Sequence, residues 1–416
     1  MATVSGYSEK IAISGVKFKT NSVAGSMEFR GGFVTEEKKF EGDGLTRREI
    51  MARATWAGAG ATVGLLAAGG LQKVLGQGQP RVDESSPRIF GASVDQLPPI
   101  DHRFPVMPSW NTELKQLAPN VYAYQQEGGT GHVNAGISNA GLFVGEDSLL
   151  VFDALGYPEQ SKAFLAAAKK AGGGKPIAHL INSHHHGDHV AGNQFFLPAQ
   201  IASHPYCRQE VLKAVPNTPA SWPKAEGQAD GTEVRKLAPP VVTFEDNLVY
   251  NIGGNTVEFR FVGPAHTWGD LVAYLPQHKI LFAADLAFFH LVPYCHNAYV
   301  SKWMESIDRV MKMDVDVIVP GHGPVGGKKD LAESGEYFRF MKTEVKKRYD
   351  AKMSPGAAAA DLKMGKYDNW MGPERIVMNT VRLYDEFKST ITPDIDAEGT
   401  KQAILEYNSI KAGRKS

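Results

Sequence analysis

The chain has 416 residues, 43% of them hydrophobic and 22% charged, an ordinary globular composition long enough to bury a large core without covalent staples. Lys+Arg and Asp+Glu both number 45, so the formal charge is zero, which argues against a nucleic-acid protein with its basic excess. Cys207 and Cys295 are the two cysteines, too few for a disulfide scaffold or a thiolate-rich zinc module, so any metal site must rest mainly on carboxylates and the 13 histidines.

In chain order, Arg47 and Arg48 precede an uncharged Ala/Gly-rich run at 54–71. A basic segment before a modest apolar one has the order of an export signal, and the paired arginines point to the twin-arginine route. Gly, Gln and Pro near 69–80 mark the expected cleavage region; an uncleaved anchor and a buried helix are the competing readings, and Met27 is an alternative start. The expected location is therefore periplasmic or extracellular, with no stable membrane association after cleavage. Residues 80–117 are Pro-rich and predict an extended lead-in. Short apolar or alternating runs at 121–125, 135–144 and 148–154 predict strands. Residues 158–171 have helical periodicity and stop at Gly172, Gly173 and Gly174. A buried strand is expected at 177–181, a short helix at 209–214 and a polar Pro-rich loop at 216–240. Hairpins follow at 248–252 with 257–262 and at 271–275 with 280–284, then a helix at 302–313 and a strand at 315–319. From Lys328 the chain reads as helices broken near Pro355, Pro373 and Pro393. The expected organisation is thus an N-terminal region at 1–79, the lead-in, a catalytic domain at 118–330 and a helical extension at 331–416. Loose alternation with many hairpins predicts an α/β fold of mixed sheets covered by helices.

The chemistry concentrates where apolar strands end. The strand at 177–181 runs into Asn-Ser-His-His-His-Gly-Asp-His. His184 and His186 are two apart, so in extended backbone they face one side, with His185 turned away. Gly187 permits a turn that brings Asp188 and His189 to a second position. Imidazole with carboxylate is a ligand set for zinc, shared with iron and manganese. Alone, the tract also reads as a surface histidine cluster. Three further segments weigh against that: each presents one ligand-type side chain at a strand terminus, namely His266, Asp285 and His322.

These residues resemble the metallo-β-lactamase superfamily, with H-x-H-x-D-H at 184–189, G-P-x-H-T-x-G-D at 263–270, the strand-end Asp285, and P-G-H-G at 320–323. The resemblance spans roughly 118–330. It implies a four-layer αββα sandwich, here followed by a C-terminal helical extension, with a dinuclear site at one edge. By the same resemblance His184, His186 and His266 hold the first metal, Asp188, His189 and His322 the second, and Asp285 bridges both. Two zinc ions are the expected cofactor. Ala284 departs from the pattern, which commonly has Gly before the bridging Asp. That bridging carboxylate resembles the glyoxalase II and lactonase branches rather than the true β-lactamases.

Two dications sharing a water lower its pKa from about 16 to near neutral. The expected function is an exported di-zinc hydrolase that uses a metal-bound hydroxide on a carboxylic ester, lactone or thioester, its partner being a small-molecule substrate. A β-lactam hydrolase and an iron-dependent, persulfide dioxygenase-like oxidoreductase are the alternatives, and phosphate or sulfate esters are a further substrate class. Asp188 is the candidate to orient the nucleophile and shuttle its proton. Tyr294 is a candidate oxyanion donor, or an ordinary half-buried aromatic. Asp153 and Asp270 are candidate partners for metal-bound imidazoles, or turn carboxylates. His290 and His296 read as solvated loop histidines; His102, His132, His179, His204 and His278 read as structural or exposed, with rimming the cleft the alternative for His132. The methionines from Met353 to Met371 read as helix core. The C-terminal helices would either cover the sheet or join two copies of the chain.

Overall fold

The computed structural model describes residues 112–126, 138–156, 158–213, 236 and 238–413. Arg47, Arg48, the run at 54–71 with its cleavage region, His102, His132 and most of the loop at 216–240 lie outside the described residues.

Strands β1 (Thr112–Ala118), β2 (Val121–Gln126), β3 (Ala140–Val144), β4 (Leu149–Phe152), β5 (Ile177–Ile181), β6 (Gln200–Ser203) and β7 (Val242–Thr243) form one sheet in that order. Neighbours from β1 to β4 are antiparallel, and those from β4 to β7 are parallel. Strands β8 (Asn247–Ile252), β9 (Asn255–Phe261), β10 (Leu271–Leu275), β11 (Ile280–Phe288) and β12 (Val317–His322) form the second sheet, ordered β12-β11-β10-β9-β8. Only its β11–β12 pair is parallel. The expected hairpins are present. Three strands were not expected: β6 and β7 at the parallel edge, and β1, which overlaps the end of the lead-in, so among the described residues pairing begins at Thr112. The β1 sequence TELKQLA has no apolar alternation because it is an edge strand, half-buried or exposed along its length, and edges favour charged residues.

The two sheets pack face to face through one apolar cluster holding Phe143 and Phe152 from the first and Phe259 and Phe282 from the second. Phe143 meets Phe282 edge-on at 5.3 Å, and Phe152 lies 5.6 Å from Phe259. Truncating such a buried ring costs about 3–5 kcal/mol. The outer face of the first sheet is covered by helix α1 (Pro158–Ala171), whose Phe164 and Ala168 are buried against Leu142, Val151 and Leu180. Helix α2 (Pro205–Lys213) follows β6. The outer face of the second sheet is covered by α3 (Val300–Met311) and α4 (Lys328–Asp350), with Trp303 and Phe338 fully buried. Two hydrogen bonds peg these helices to β11: Trp303 Nε1 donates to the Leu286 carbonyl, and the Ser334 hydroxyl to that of Phe288, each at 2.9 Å. The layers run helix, sheet, sheet, helix, which is the αββα sandwich.

The extension adds α5 (Pro355–Asp361), α6 (Ile376–Phe387) and α7 (Ala397–Gly413). Its Met364 and Met371 are buried in the same cluster as Trp303, in the role expected of core methionines. Among the described residues no helix is long and apolar enough to cross a membrane. The fold leaves the carboxyl ends of β5, β11 and β12 as the places where loops can carry polar side chains on rigid supports, the usual position of sites in α/β sheets.

Candidate metal centre

The loop after β5 is fixed before its first histidine. Asn182 and Asn193 exchange amide hydrogen bonds of 2.9 and 2.8 Å, fully buried. Ser183 gives its backbone N–H and its hydroxyl to the two oxygens of Asp153, both at 2.7 Å. That hydroxyl also lies 3.0 Å from His184 Nδ1. Because it donates to Asp153, it accepts from His184, and His184 Nε2 is left with its lone pair. Gly187 opens a one-turn helix, Gly187–Val190, in which His189 N–H donates to the His186 carbonyl at 3.0 Å. The turn brings Asp188 and His189 back over the loop, and His189 Nδ1 meets Asp153 Oδ2 at 2.8 Å. Asp153 is therefore the imidazole partner that its place after β4 suggested.

Asp270 is not. Its oxygens accept from the backbone N–H groups of Ala265 (3.2 Å) and Thr267 (2.9 Å) and from the Thr267 hydroxyl. It closes the turn that carries His266, while His266 Nδ1 has no hydrogen-bond partner. Of its two expected roles, the turn carboxylate is the one it fills.

Asp285 lies inside β11 after Ala284, whose φ is +43°. That left-handed backbone favours glycine, which is why glycine suits the position and alanine strains it. Gly321 answers a closer constraint, since a Cβ there would fall 1.9 Å from Asp285 Oδ1. His322 ends β12 with its ring stacked on Phe288 at 5.1 Å. Asn139 holds the turn around it, donating from Nδ2 to the Pro320 and Gly323 carbonyls at 2.8 Å.

The structure brings all seven sequence-predicted ligand residues together in two adjacent groups: His184, His186, His266 and Asp285, and Asp188, His189 and His322. Asp285 belongs to both by distance. Its Oδ2 lies 3.0 Å from His266 Nε2 and 3.7 Å from His184 Nε2, while its Oδ1 lies 3.0 Å from His189 Nε2. His322 Nε2 is 3.0 Å from Asp188 Oδ2. His186 Nδ1 approaches His266 Nε2 at 2.8 Å, its own Nε2 being 2.9 Å from Asn297 Oδ1. His185 joins neither group and packs its ring 5.6 Å from Tyr206.

These residues fit metal ions. His184 Nε2, His189 Nε2 and Asp285 Oδ1 are buried and have no hydrogen-bond partner, a costly arrangement unless a cation collects the lone pairs. The protonation states agree. Burial, then His189, pushes His184 well below the usual imidazole range. Burial, then His266, lowers His186 to about 4. Burial works to raise Asp285, but His189, His322 and His266 outweigh it and hold the carboxyl well below its ordinary value. Asp188 is lowered likewise, burial being overcome by His189 and His322. His189 moves the other way: burial opposes its charge, yet Asp285, Asp188 and Asp153 raise it well above the ordinary value. The carboxylates here call for positive charge, and metal ligands must be deprotonated to supply their lone pairs.

Tyr294 stands beside this centre. Its half-buried ring is 6.2 Å from that of His186, stacks on His296 at 5.5 Å, and has the Arg375 guanidinium 5.4 Å from its centroid. Burial pushes its hydroxyl up to about 12, Arg375 only partly offsetting this. The expectation of a solvated His296 is overturned. It is 5% exposed, with Met378 Sδ 3.3 Å from Nδ1, because α6 covers its loop. His290 is half-buried, 3.7 Å from Asp330. His179, His204 and His278 are structural, lying against Tyr250, Phe261 and Asn255. Sequence reasoning missed Asn297 and Asn139, which no motif marks.

Residues 133–322 match the family model of the metallo-beta-lactamase superfamily. This part of the chain is a metallo-β-lactamase superfamily domain. A linear primary-alkylsulfatase of Pseudomonas sp. is 27% identical over 222 residues, 45% of this chain and 42% of that protein. The 2,4-dinitroanisole O-demethylase subunit alpha of Nocardioides sp. is 23% identical over 184 residues, 43% of this chain and 50% of that protein. The chain thus spans half or less of either relative. Among solved structures, the inverting sec-alkylsulfatase Pisa1 of Pseudomonas sp. superposes with a TM-score of 0.50 at 18% identity, over 66% of this chain and 50% of that one, a likeness of fold.

Proposed function

We propose that the chain is a dinuclear metallo-hydrolase, zinc being the first candidate ion, that opens a carboxylic ester, lactone or thioester. The observation that carries this reading is the placement of Asp285, one oxygen turned to His266 and the other to His189, as a carboxylate shared by two cations requires. His184, His186 and Asp285 with His266 would hold one ion, and Asp188, His189 and His322 with Asp285 the other. When bound, the ions supply Lewis acidity toward the electrophile and acidify a water to the neutral range.

The protein's own groups supply the rest. Ser183, Asp153 and Asn297 fix three of the imidazoles in orientation. Asp188 has its side chain 35% exposed, whereas His189, Asp285 and His322 are buried, so water and substrate reach the centre on its side. Its lowered pKa keeps it ionised at neutral pH, so it accepts a hydrogen bond from the attacking water and orients it. Tyr294 keeps its proton at any working pH and so can donate to the oxygen on which charge develops.

A second reading, sulfate-ester hydrolysis, draws support from the alkylsulfatase relative. Export through the arginine pair Arg47-Arg48 is part of the proposal and rests on sequence pattern alone. A panel of lactones, thioesters, carboxylic esters, cephalosporins and alkyl sulfates on zinc-loaded protein separates the readings. Turnover of the carbonyl esters above all others is expected; preferred turnover of alkyl sulfates would replace the first reading with the second. Oxygen uptake with a glutathione persulfide on iron-loaded protein would displace both.

A further inference from the structure

Residues 290–299 lead from β11 to α3 and pass beside His186, and the C-terminal extension holds this segment along its length. Val292 N–H donates to the Met371 carbonyl at 2.9 Å, and Arg375 donates to the Val292 carbonyl at 2.8 Å. Asn379 gives its Nδ2 to the Pro293 carbonyl at 2.8 Å and accepts from Cys295 N–H at 3.1 Å. Arg382, 1% exposed, donates at 2.8 Å to the carbonyls of both Ala298 and Thr392 and at 3.3 Å to that of Asp394. It thereby clamps this segment to the loop that carries Pro393. Between the two clamped carbonyls sits Asn297, with Nδ2 2.9 Å from the Pro393 carbonyl and Oδ1 2.9 Å from His186 Nε2.

The polarity of this relay has one solution. A backbone carbonyl only accepts, so the Asn297 amino group must face Pro393 and its Oδ1 must face His186. Oδ1 only accepts as well, so His186 Nε2 must carry the ring proton, leaving Nδ1 with the lone pair. The other four rings turn Nε2 inward, toward Asp285 or Asp188. His186 is the one of the five that presents Nδ1, and its Nε2–H is the group that Asn297 holds.

We propose that Asn297 is a positioning residue for His186, held in place by the C-terminal extension through Pro393 and Arg382. This rests on the metal-centre reading above. Partners of this kind fix ring orientation and tautomer, and their loss costs about 10–100-fold in metal affinity. The full chain is compared as wild type, Asn297→Leu and Asn297→Asp, reading zinc affinity by competition with a chromophoric chelator and the unfolding midpoint of the metal-free protein. Leucine keeps the volume and loses the acceptor; aspartate still accepts from Nε2–H. The expected result is about 10–100-fold weaker binding of one zinc in Asn297→Leu, affinity close to wild type in Asn297→Asp, and a midpoint in Asn297→Leu that does not account for the loss. Equal zinc affinity in Asn297→Leu and wild type overturns the inference, as does an equal loss in both variants. Should Asn297→Leu fail to fold, Asn297→Ala carries the test: zinc affinity about 10-fold or more below that of Asn297→Asp supports the inference, and affinity equal to wild type overturns it. A wild type that takes up no zinc instead overturns the metal-centre reading itself.

Discussion

Two parts of the chain reach the same centre by different means. The sheet half delivers side chains directly from its strands and the turns that follow them: the loop after β5 with His184 to His189, the turn after β9 with His266, β11 with Asp285 and β12 with His322. Each support is a hydrogen-bonded strand in a packed sandwich, so the positions follow from sheet geometry. The helical half holds residues 290–299 with the side chains of Arg375, Asn379 and Arg382 and with the carbonyls of Met371 and Pro393, and acts on the centre through Tyr294, His296 and Asn297. The difference teaches that donor atoms and the orientation of those atoms have separate origins here. The sheets bring the ligands together, and the extension governs the wall beside them.

Removing a sheet-borne ligand should have the largest effect. Asp285→Ala deletes the carboxylate common to both groups, so metal content should fall from about two ions per chain to one or fewer, with activity down by more than about 1000-fold. Elemental analysis of the refolding-competent variant checks it, and full occupancy would remove Asp285 from the bridging role. A change at Tyr294, on the extension-held wall, should act on turnover alone. Tyr294→Phe should lower kcat by about 100-fold with metal content and KM nearly unchanged; an unaltered kcat would reduce Tyr294 to packing.

A third test concerns the histidine that α6 buries. Burial, then His186, pushes His296 down to about 3, whereas the ordinary value is 6.5. The folded form thus binds fewer protons than the unfolded one. Its contribution to stability is complete above about pH 6.5 and drains as the pH falls toward 3. At pH 5 the loss from this residue is about 2 kcal/mol. The metal-free protein should therefore melt several degrees lower at pH 5 than at pH 7, and His296→Gln should flatten that slope; an unchanged slope would show that His296 is not held neutral. The smallest effect is expected at Ala284→Gly. Relief of the left-handed backbone gains about 1–2 kcal/mol, and the freer unfolded chain costs about 0.4–1 kcal/mol. A shift in Tm of a few degrees upward is expected in a melt, and a marked drop would mean that the alanine methyl packs usefully.

The same division explains what the sequence made legible. The ligand residues stood out because each lies within or shortly after an apolar strand run, a local pattern that survives without the partner strand in view. Asp153 was legible for the same reason. Asp270 was ambiguous, since a carboxylate four residues after His266 can serve either the turn or the ring, and only the hydrogen bonds to Ala265 and Thr267 decide. Asn297, Asn379 and Arg382 were not legible. Their partners lie 111, 84 and 84 residues away for His186, Cys295 and Ala298, and no local pattern encodes a contact at such separation. His296 was misread for that reason, an exposed loop in sequence being a covered one in the fold. Strand β1 escaped because the edge sequence TELKQLA carries no apolar alternation.

The central claim is that seven converging side chains hold a pair of cations. Elemental analysis of the protein as purified from its native host, with ions counted per folded chain, tests it most directly. The account predicts about two transition-metal ions per chain, removable by a chelator and restored by zinc; a folded chain that carries none and takes up none would contradict it.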